Sequence, residues 1–443
     1  MPTFSLVHCA PALRAALLIL STLATALLSV AAAGVAATAA PSSREARDRV
    51  IRVVGDDLQG AIDRAKPFDI VVADPTHEIV ISKSVQIDKP LTLLGLRAKL
   101  VDGLGGAQLL VVTGDDFHLA DFHLTGNSAS IEQKERAALV QIRGNRFVVE
   151  RGIVKDSSKD GIEITIVEGG HDVRDGVVRD IVGYDNVRDH VSISGLGRSG
   201  LYIRNLVVEN IRAYRSRSRG AVEVSDGTEN ITVRDVYAEG CVYGIDVQDH
   251  KHAGESNIGV RLSNIFVRGC KHAIRTDNQA ATGHRDLTLR NISGTDWPPG
   301  AFPIQVSNTR NVVIDDVRLT DGGEIDTAIY LRNCHNVMLH TATLERLSSA
   351  HEAIRIEDCS EVRFHDIHLD VKERSKGHAA IRFMADSAGT LRNLDLQGIT
   401  ALGDANRIVL ARKEGTLENY RIRYPASLVD DGIKGPNGRV GID

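Results

Sequence analysis

Residues 206–225 read LVVENIRAYRSRSRGAVEVS, and their pattern decides the fold. One alternating apolar run ends at Asn210, a second begins at Ile211, and a third, Val222-Glu223-Val224, follows an arginine-rich loop. Alternation of apolar and polar residues is typical of short β-strands with one face in a dry core and the other in solvent. One such unit predicts three short strands and leaves no room for a helix.

The same unit recurs along most of the chain. The residues that begin its second run stand 25 to 32 residues apart. They are Leu96, Phe122, Ile153, Ile181, Ile211, Val236, Ile265, Ile292, Val317, Ala342, Ile367 and Ile399. Eleven of the twelve residues just before them are Gly, Asn or Asp, which tolerate a left-handed backbone at a tight bend. The repeat predicts one such bend per unit and favours a parallel β-helix, whose coils stack about 4.8 Å apart.

The first forty residues have a different character. Arg14 is their only charged residue, an apolar stretch covers Ala15–Ala33, and Ala37 and Ala39 supply a cleavage pattern of small residues. We therefore expect export to the periplasm or outside the cell, with no membrane insertion after cleavage. An uncleaved membrane anchor is the alternative, since the stretch is long enough to span a bilayer. The predicted organisation is a signal peptide at 1–39, a linker at 40–49 and one β-helix domain at 50–443.

A short helix is predicted over Asp57–Ala65, where Leu58, Ala61 and Ile62 share one apolar face that could cover the first coil. With its coil period and its ladder of Gly, Asn and Asp bends, the chain resembles the right-handed parallel β-helix superfamily of pectate lyases, polygalacturonases and alginate-modifying enzymes. This resemblance implies an all-β, single-stranded right-handed parallel β-helix of about 12 coils with an N-terminal capping helix. It also implies a polysaccharide cleft whose floor is the third strand of each coil.

Composition narrows the choice of partner. The chain of 443 residues has 53 Lys and Arg against 58 Asp and Glu, so no global basic field would recruit nucleic acid. Aromatic residues make up only 4% of the chain, which leaves few stacking platforms for neutral sugars and favours charge-based recognition. We expect an acidic, uronic-acid-containing polysaccharide as partner and a monomeric protein.

Polar residues gather on the predicted cleft face of the central coils. Aligning the third strands places five of them in one outward column, Glu163, Ser192, Glu223, Asp246 and Arg275. A second column holds Thr165, Ser194, Ser225, Gln248 and Asp277. The later coils show Gln305, Tyr330, Arg355 and Arg382 at the matching positions. The chemistry is therefore expected between Asp160 and Asp277.

The run Arg188-Asp189-His190 is followed one coil later by Arg217 and Arg219. An enzyme that cleaves uronates by β-elimination must neutralise the sugar carboxylate, remove the C5 proton and supply an acid to the leaving oxygen. His190 is the expected base, Arg219 or Arg217 the neutralising cation, and Tyr243 the acid. A polysaccharide lyase is the first expectation, and a surface histidine paired with its carboxylate is the structural alternative.

Two further resemblances keep other activities open. Residues 158–163, SKDGIE, are similar to the Asn-Thr-Asp-Gly-Ile-Asp run of polygalacturonases. The pair Arg188-Asp189 stands where polygalacturonases carry Asp-Asp. This implies glycoside hydrolysis with Asp160 and Asp189 as the catalytic acids. Asp189-His190 is somewhat similar to the Asp-Pro-His-Asp motif of mannuronan C5-epimerases, without its Pro and second Asp. A non-catalytic glycan-binding surface protein is the remaining alternative.

The same columns and their flanking loops also supply residues that are expected to bind substrate or a cation. Five basic side chains are expected to bind substrate, namely Lys159, Arg188, Arg217, His272 and Arg275. Three oxygen-bearing side chains could bind Ca²⁺, namely Glu223, Asp246 and Gln248. The alternative for the two carboxylates is a salt-bridged surface ladder with Arg219 and Arg275.

Four cysteines follow the predicted signal peptide. Cys241 and Cys270 are 29 residues apart, Cys334 and Cys359 are 25 apart, and both spacings equal those of neighbouring coils. Each pair is therefore expected at equivalent positions of adjacent coils. Export would allow a disulfide within each pair, and stacked free thiols are the alternative.

Overall fold

The computed structural model describes residues 49–443 except 251, 279–282, 373–378, 386–389, 403–406, 413–415, 425–428, 432–437 and 443. The signal peptide predicted at 1–39 and nearly all of the predicted linker lie outside the described residues. The chain from Asp48 to Asp443 forms one compact unit. In the part of the chain that the structure describes, no helix is long and apolar enough to cross a membrane.

The fold is a parallel β-solenoid of about 12 turns. Each strand pairs in parallel with the equivalent strands of the coils before and after it, as Ile203–Tyr214 does with Val177–Tyr184 and Thr228–Glu239. The prediction of an all-β, right-handed parallel β-helix is confirmed. This arrangement follows from the sequence, because every coil repeats the same short runs of apolar residues that pack into one continuous core.

The strands of the first six coils are short. They are β1 (Val50–Arg52), β2 (Ile70–Val72), β3 (Ile79–Ile81), β4 (Val85–Ile87), β5 (Leu91–Leu94), β6 (Arg97–Leu100), β7 (Leu110–Val112), β8 (Phe117–Thr125), β9 (Val140–Ile142), β10 (Val148–Lys155), β11 (Ile162–Thr165), β12 (Val173–Arg174), β13 (Val177–Tyr184) and β14 (Val191–Ser194). Three 3-10 helices, at Ser128–Ser130, Gln133–Glu135 and Gly197–Ser199, interrupt the described loops.

The remaining strands range from 3 to 23 residues in length. They are β15 (Ile203–Tyr214), β16 (Gly220–Ser225), β17 (Thr228–Glu239), β18 (Tyr243–Gln248), β19 (Arg261–Arg268), β20 (His272–Asp277), β21 (His284–Thr295), β22 (Ile304–Ser307), β23 (Thr309–Thr320), β24 (Glu324–Arg332), β25 (His335–Glu357), β26 (Ser360–Lys372), β27 (Ala379–Ala385), β28 (Thr390–Leu396), β29 (Ile399–Leu402), β30 (Arg407–Arg412), β31 (Thr416–Tyr424), β32 (Val429–Asp431) and β33 (Arg439–Ile442).

Long strands bend without losing their pairing, because left-handed residues recur every five positions. In and just after β15 they are Asn205, Asn210 and Arg215, with φ between 51° and 56°. The expectation of one bend per repeat was therefore too low, since this coil has three. The third bend, at Arg215, could not be predicted from residue type, because arginine rarely adopts a left-handed backbone conformation. Arg215 is held there by a hydrogen bond from Nε to Asp185 on the preceding coil (2.9 Å).

One α-helix, α1 (Leu58–Arg64), lies near the start of the described chain. Asp57 caps its N-terminus by accepting a hydrogen bond from the backbone N–H of Gly60 at 3.0 Å. Leu58, Ala61 and Ile62 are buried, as the sequence pattern indicated. The further role of this segment as a cap over the open first coil stays a prediction.

The two cysteine pairs lie on adjacent coils, as their spacing indicated. All four cysteines are buried free thiols in this structure. Within the second pair, Cys334 and Cys359, a backbone N–H donates to the partner sulfur at 3.4 Å. The structure therefore agrees with the alternative of free thiols, and the two cysteines of each pair are in contact across one coil step.

Candidate functional site

The third strands of the central coils carry the outward column expected from the sequence. Backbone pairing aligns Glu163 with Ser192, Ser192 with Glu223, Glu223 with Asp246, and Asp246 with Arg275. These strands depart from simple alternation, since all six residues of β16 and all six of β18 are buried. Their outer face is therefore covered by other side chains rather than by solvent.

Two carboxyls lie at the edge of this face, each two residues before the first residue of β11 or β14. Asp160 and Asp189 are fully buried, on adjacent coils. The backbone N–H of Asp189 donates to Asp160 Oδ1 at 3.1 Å, and that of Gly220 donates to Asp189 Oδ1 at 3.1 Å. The Oδ2 atom of each carboxyl makes no hydrogen bond. Each acid is thus fixed by a backbone hydrogen bond to Oδ1, whereas its Oδ2 has only ion-pair contacts, from Lys159 to Asp160 at 3.5 Å and from Arg188 to Asp189 at 4.0 Å.

Three cationic side chains cover these acids, each about a quarter exposed. Arg188 lies 3.6 Å from Asp160 Oδ1 through Nε and 3.2 Å from Glu223 Oε2 through Nη2. Lys159 lies 3.5 Å from Asp160 Oδ2, and Arg219 pairs with Glu223. The acidic–basic cluster hereafter means these six residues, Asp160, Asp189, Glu223, Lys159, Arg188 and Arg219.

Burial changes the protonation of the two aspartates. It raises the pKa of Asp160 to about 6, because desolvation outweighs the attraction of Arg188 and Lys159. The pKa of Asp189 is raised well above its usual range by burial and by the negative charges of Glu223 and Asp160. Asp160 is therefore mainly ionised near neutral pH, and Asp189 holds its proton more tightly than an exposed aspartate does. Pairs of this kind are the general acid and base of many hydrolytic enzymes.

Tyr243 lies two coil steps beyond Asp189 at the same edge of the strands. It is buried, and its hydroxyl lies toward Arg219 but makes no hydrogen bond. Burial and the charge of Asp189 raise its pKa well above the usual range, so the phenol stays neutral. The Arg275 guanidinium lies 5.2 Å above the ring centroid.

The structure does not bring His190 into this cluster. Its side chain is fully buried, and Nδ1 is 2.6 Å from the Asn186 side-chain amide nitrogen. A Cβ atom on Gly183 would lie only 2.2 Å from the same ring, so the imidazole fills space inside the coil. The expected role of His190 as the base does not fit this placement. The residues equivalent to His190 in the neighbouring coils are Gly161 and Ala221. Because both are small, they indicate that side chains at this position point toward the interior of the coil.

Some of the other residues expected to bind substrate lie in the cluster, and others lie outside it. Lys159 and Arg188 belong to the cluster, and Arg275 donates from Nε to Asp246 at 2.8 Å. Arg217 is exposed and lies outside the cluster, and its charge helps to lower the pKa of Asp185. His272 is buried, with Nδ1 2.8 Å from the Phe302 carbonyl oxygen, and burial lowers its pKa to about 4. His272 is therefore a neutral ring.

The three residues expected to bind Ca²⁺ have other partners. Glu223 is bound by Arg188 and Arg219 and also accepts from the Gln248 side-chain amide, while Asp246 is held by Arg275. Since guanidinium and amide N–H groups occupy the carboxylate oxygens, this donor set does not fit a cation. No group of three or more metal-binding side chains is found among the residues that the structure describes.

Comparison with known proteins identifies the fold. No family model matches the chain, and no curated protein matches its sequence. The pre-mature gene product 12 of bacteriophage phi29 is similar at a TM-score of 0.64 and 13% identity, over 86% of this chain and 54% of that chain. The present chain thus spans about half the length of that protein.

Two similar solved structures are enzymes by name. The A-module of the Azotobacter vinelandii mannuronan C-5 epimerase AlgE4 gives a TM-score of 0.55 at 16% identity, over 81% of this chain and 94% of that chain. The Yersinia enterocolitica family 28 exopolygalacturonase gives 0.54 at 12% identity, over 86% and 79%. At such identities the likeness establishes the right-handed parallel β-helix fold, which carbohydrate-active enzymes share.

Proposed function

We propose that the protein cleaves glycosidic bonds of an acidic polysaccharide at the acidic–basic cluster. The observation that carries this proposal is the pair of buried aspartates whose Oδ2 atoms make no hydrogen bond. Leaving a buried polar atom unpaired costs about 1–3 kcal/mol, so such atoms are expected where a ligand supplies the partner. Both atoms lie beside cations that are partly exposed.

Hydrolysis is the reaction that these groups support best. Asp189, whose pKa is raised by burial, donates its proton to the glycosidic oxygen as the bond to the anomeric carbon breaks. Asp160, ionised above about pH 6, takes a proton from the water whose oxygen forms the new bond to the anomeric carbon. The match of Asp160 and Asp189 to the acids of the polygalacturonase run is consistent with these roles.

The cations of the cluster support an anionic substrate. Lys159, Arg188 and Arg219 are each about a quarter exposed, although inside the protein Lys159 also pairs with Glu163 and both arginines pair with Glu223. Guanidinium groups bind carboxylates through paired hydrogen bonds, so Arg188 and Arg219 suit a uronate. Recognition would thus rest on charge, as the low aromatic content indicates.

β-Elimination is the second candidate, and the same three cations favour it. A sugar carboxylate held by Arg188 or Arg219 would be neutralised, which acidifies its C5 proton. Asp160 would then take the place of His190 as the base, and Asp189 would protonate the leaving oxygen. Tyr243 suits an acid better than a base, because its raised pKa disfavours the phenolate.

Replacing Asp189 by asparagine tests the proposal. Incubation with polygalacturonate should give new reducing ends for the wild type and at least about a hundredfold fewer for Asp189→Asn. The control is Asp185→Asn, a half-buried left-handed position paired with Arg215, which should keep full activity. Ultraviolet absorbance of unsaturated products would indicate elimination. Full activity in Asp189→Asn would refute the assignment, and glycan binding without any product would indicate a binding module.

We also propose export, on the strength of the apolar stretch Ala15–Ala33 and the small residues after it. An exported protein would meet extracellular polysaccharides directly. N-terminal sequencing of the protein recovered outside the cytoplasm should begin at Ala40. Recovery of the full-length chain in the membrane fraction would instead support the anchor alternative.

A further inference from the structure

A run of three rings continues the candidate site toward the C-terminus, with His272 and Phe302 at the strand edge and Tyr330 in the outward column. His272, Phe302 and Tyr330 have centroid separations of 6.3 and 6.0 Å, and they are called the aromatic run below. Tyr243 pairs with His272 in the strand register, so the run begins one coil step beyond Tyr243. The run therefore lies on the same face as the acidic–basic cluster and continues it.

This part of the face is less charged than the coils on either side. His272 is neutral because burial lowers its pKa to about 4, and Gln305 follows Arg275 in the outward column. Charge returns at Arg355, whose guanidinium lies 5.1 Å from the Tyr330 ring centroid and pairs with the buried Glu352. The aromatic run thus separates two charged regions of one continuous face.

The rings are held in place and partly uncovered. The Phe302 carbonyl oxygen fixes the His272 ring at 2.8 Å, and the Tyr330 hydroxyl donates to Glu357 at 2.7 Å. Phe302 and Tyr330 are half-buried. His272 itself is buried, so the partly uncovered aromatic surface belongs to Phe302 and Tyr330. A rigid aromatic surface of this kind suits the apolar face of a sugar ring.

We propose that the aromatic run binds an uncharged sugar unit of the same glycan chain whose acidic unit lies at the acidic–basic cluster. This inference rests on the proposed function and specifies its substrate, a glycan in which acidic and uncharged units adjoin. Phe302 is four coil steps from Asp189, about 19 Å away. Only a chain of several sugar units can reach both places, so short uronates bind without the aromatic run.

The test compares two polymers in the Asp189→Asn background, which keeps bound chains intact. Hyaluronan alternates a uronate with an uncharged N-acetylated sugar, whereas polygalacturonate contains uronate alone. Phe302→Leu keeps an apolar side chain but removes the ring, and it should weaken hyaluronan binding about fivefold while changing polygalacturonate binding less than about twofold. Phe266→Leu is the matched control, because Phe266 is 38% exposed and stacks with Tyr237 on another strand. It should change neither affinity.

The outcomes separate the inference from the proposed function. Equal effects of Phe302→Leu on both polymers, or no effect on either, would overturn the role of the aromatic run. The proposed function would survive that result if Arg188→Gln still weakened binding of both polymers. Failure of the parent protein to bind either polymer would refute the proposed function and the inference together. Tyr330→Leu gives a second reading of the same surface should Phe302→Leu fold poorly.

Discussion

The buried carboxyl of Asp160 should weaken the fold at neutral pH, so we expect Asp160→Asn to stabilise the protein. Folding raises the pKa of this group from 3.8 to about 6. A difference of about two pKa units corresponds to about 3 kcal/mol against the ionised form. The folded state keeps the proton longer than the unfolded state, so stability falls as pH rises from about 4 to about 6 and stays lower above that range. Asparagine preserves the acceptor for the Asp189 N–H and removes the charge.

Urea denaturation followed by circular dichroism measures this effect at about pH 7.5 and about pH 3.5. Asp160→Asn should raise the free energy of unfolding by up to about 3 kcal/mol at the higher pH and by about zero at the lower pH. Asp185→Asn is a control of opposite sign, because Arg215 lowers the pKa of Asp185 and its charge stabilises the fold at neutral pH. A loss of stability in Asp160→Asn that is larger at about pH 7.5 would refute the reasoning.

Three further outcomes follow from the same geometry. Thr341 has a left-handed backbone with φ of 57°, which asparagine tolerates better than threonine. Thr341→Asn should therefore raise the free energy of unfolding by about 1 kcal/mol and raise the melting temperature, and a lower melting temperature would contradict this. Any disulfide in the unreduced protein should join partners within a cysteine pair, and mass mapping that found a link between the two pairs would overturn the coil register. Activity should rise with ionisation of Asp160 near pH 6 and fall at higher pH as Asp189 ionises; a rate that is flat through pH 6 would exclude Asp160 as the base.

The strand register could be predicted from the sequence because it depends on local pattern. Apolar alternation and coil spacing placed Glu163, Ser192 and Glu223 in one column, and the backbone pairing agrees. The number of bends could not be read from residue types alone. Arg215 and Thr341 adopt left-handed backbone, although neither type favours it, because stacking on the neighbouring coils fixes the backbone there.

The site was predicted less completely, because side-chain direction decides it. His190 follows Asp189 directly, yet the acid faces the cluster and the imidazole faces the interior of the coil. The shifted pKa values of the aspartates also depend on tertiary burial, which local sequence does not report. Phe302 was missed because it belongs to a later coil, where the sequence suggested no chemistry.

Binding of a labelled polygalacturonate oligomer to two arginine variants tests the central claim most directly, that the acidic–basic cluster binds an acidic glycan. Arg188→Gln removes a guanidinium of the cluster, whereas Arg268→Gln removes an exposed one that pairs with Asp296 at 2.7 Å on another strand. The account predicts at least about tenfold weaker binding for Arg188→Gln and less than about twofold change for Arg268→Gln. Equal affinity of Arg188→Gln and the wild type, or equal losses in the two variants, would contradict it.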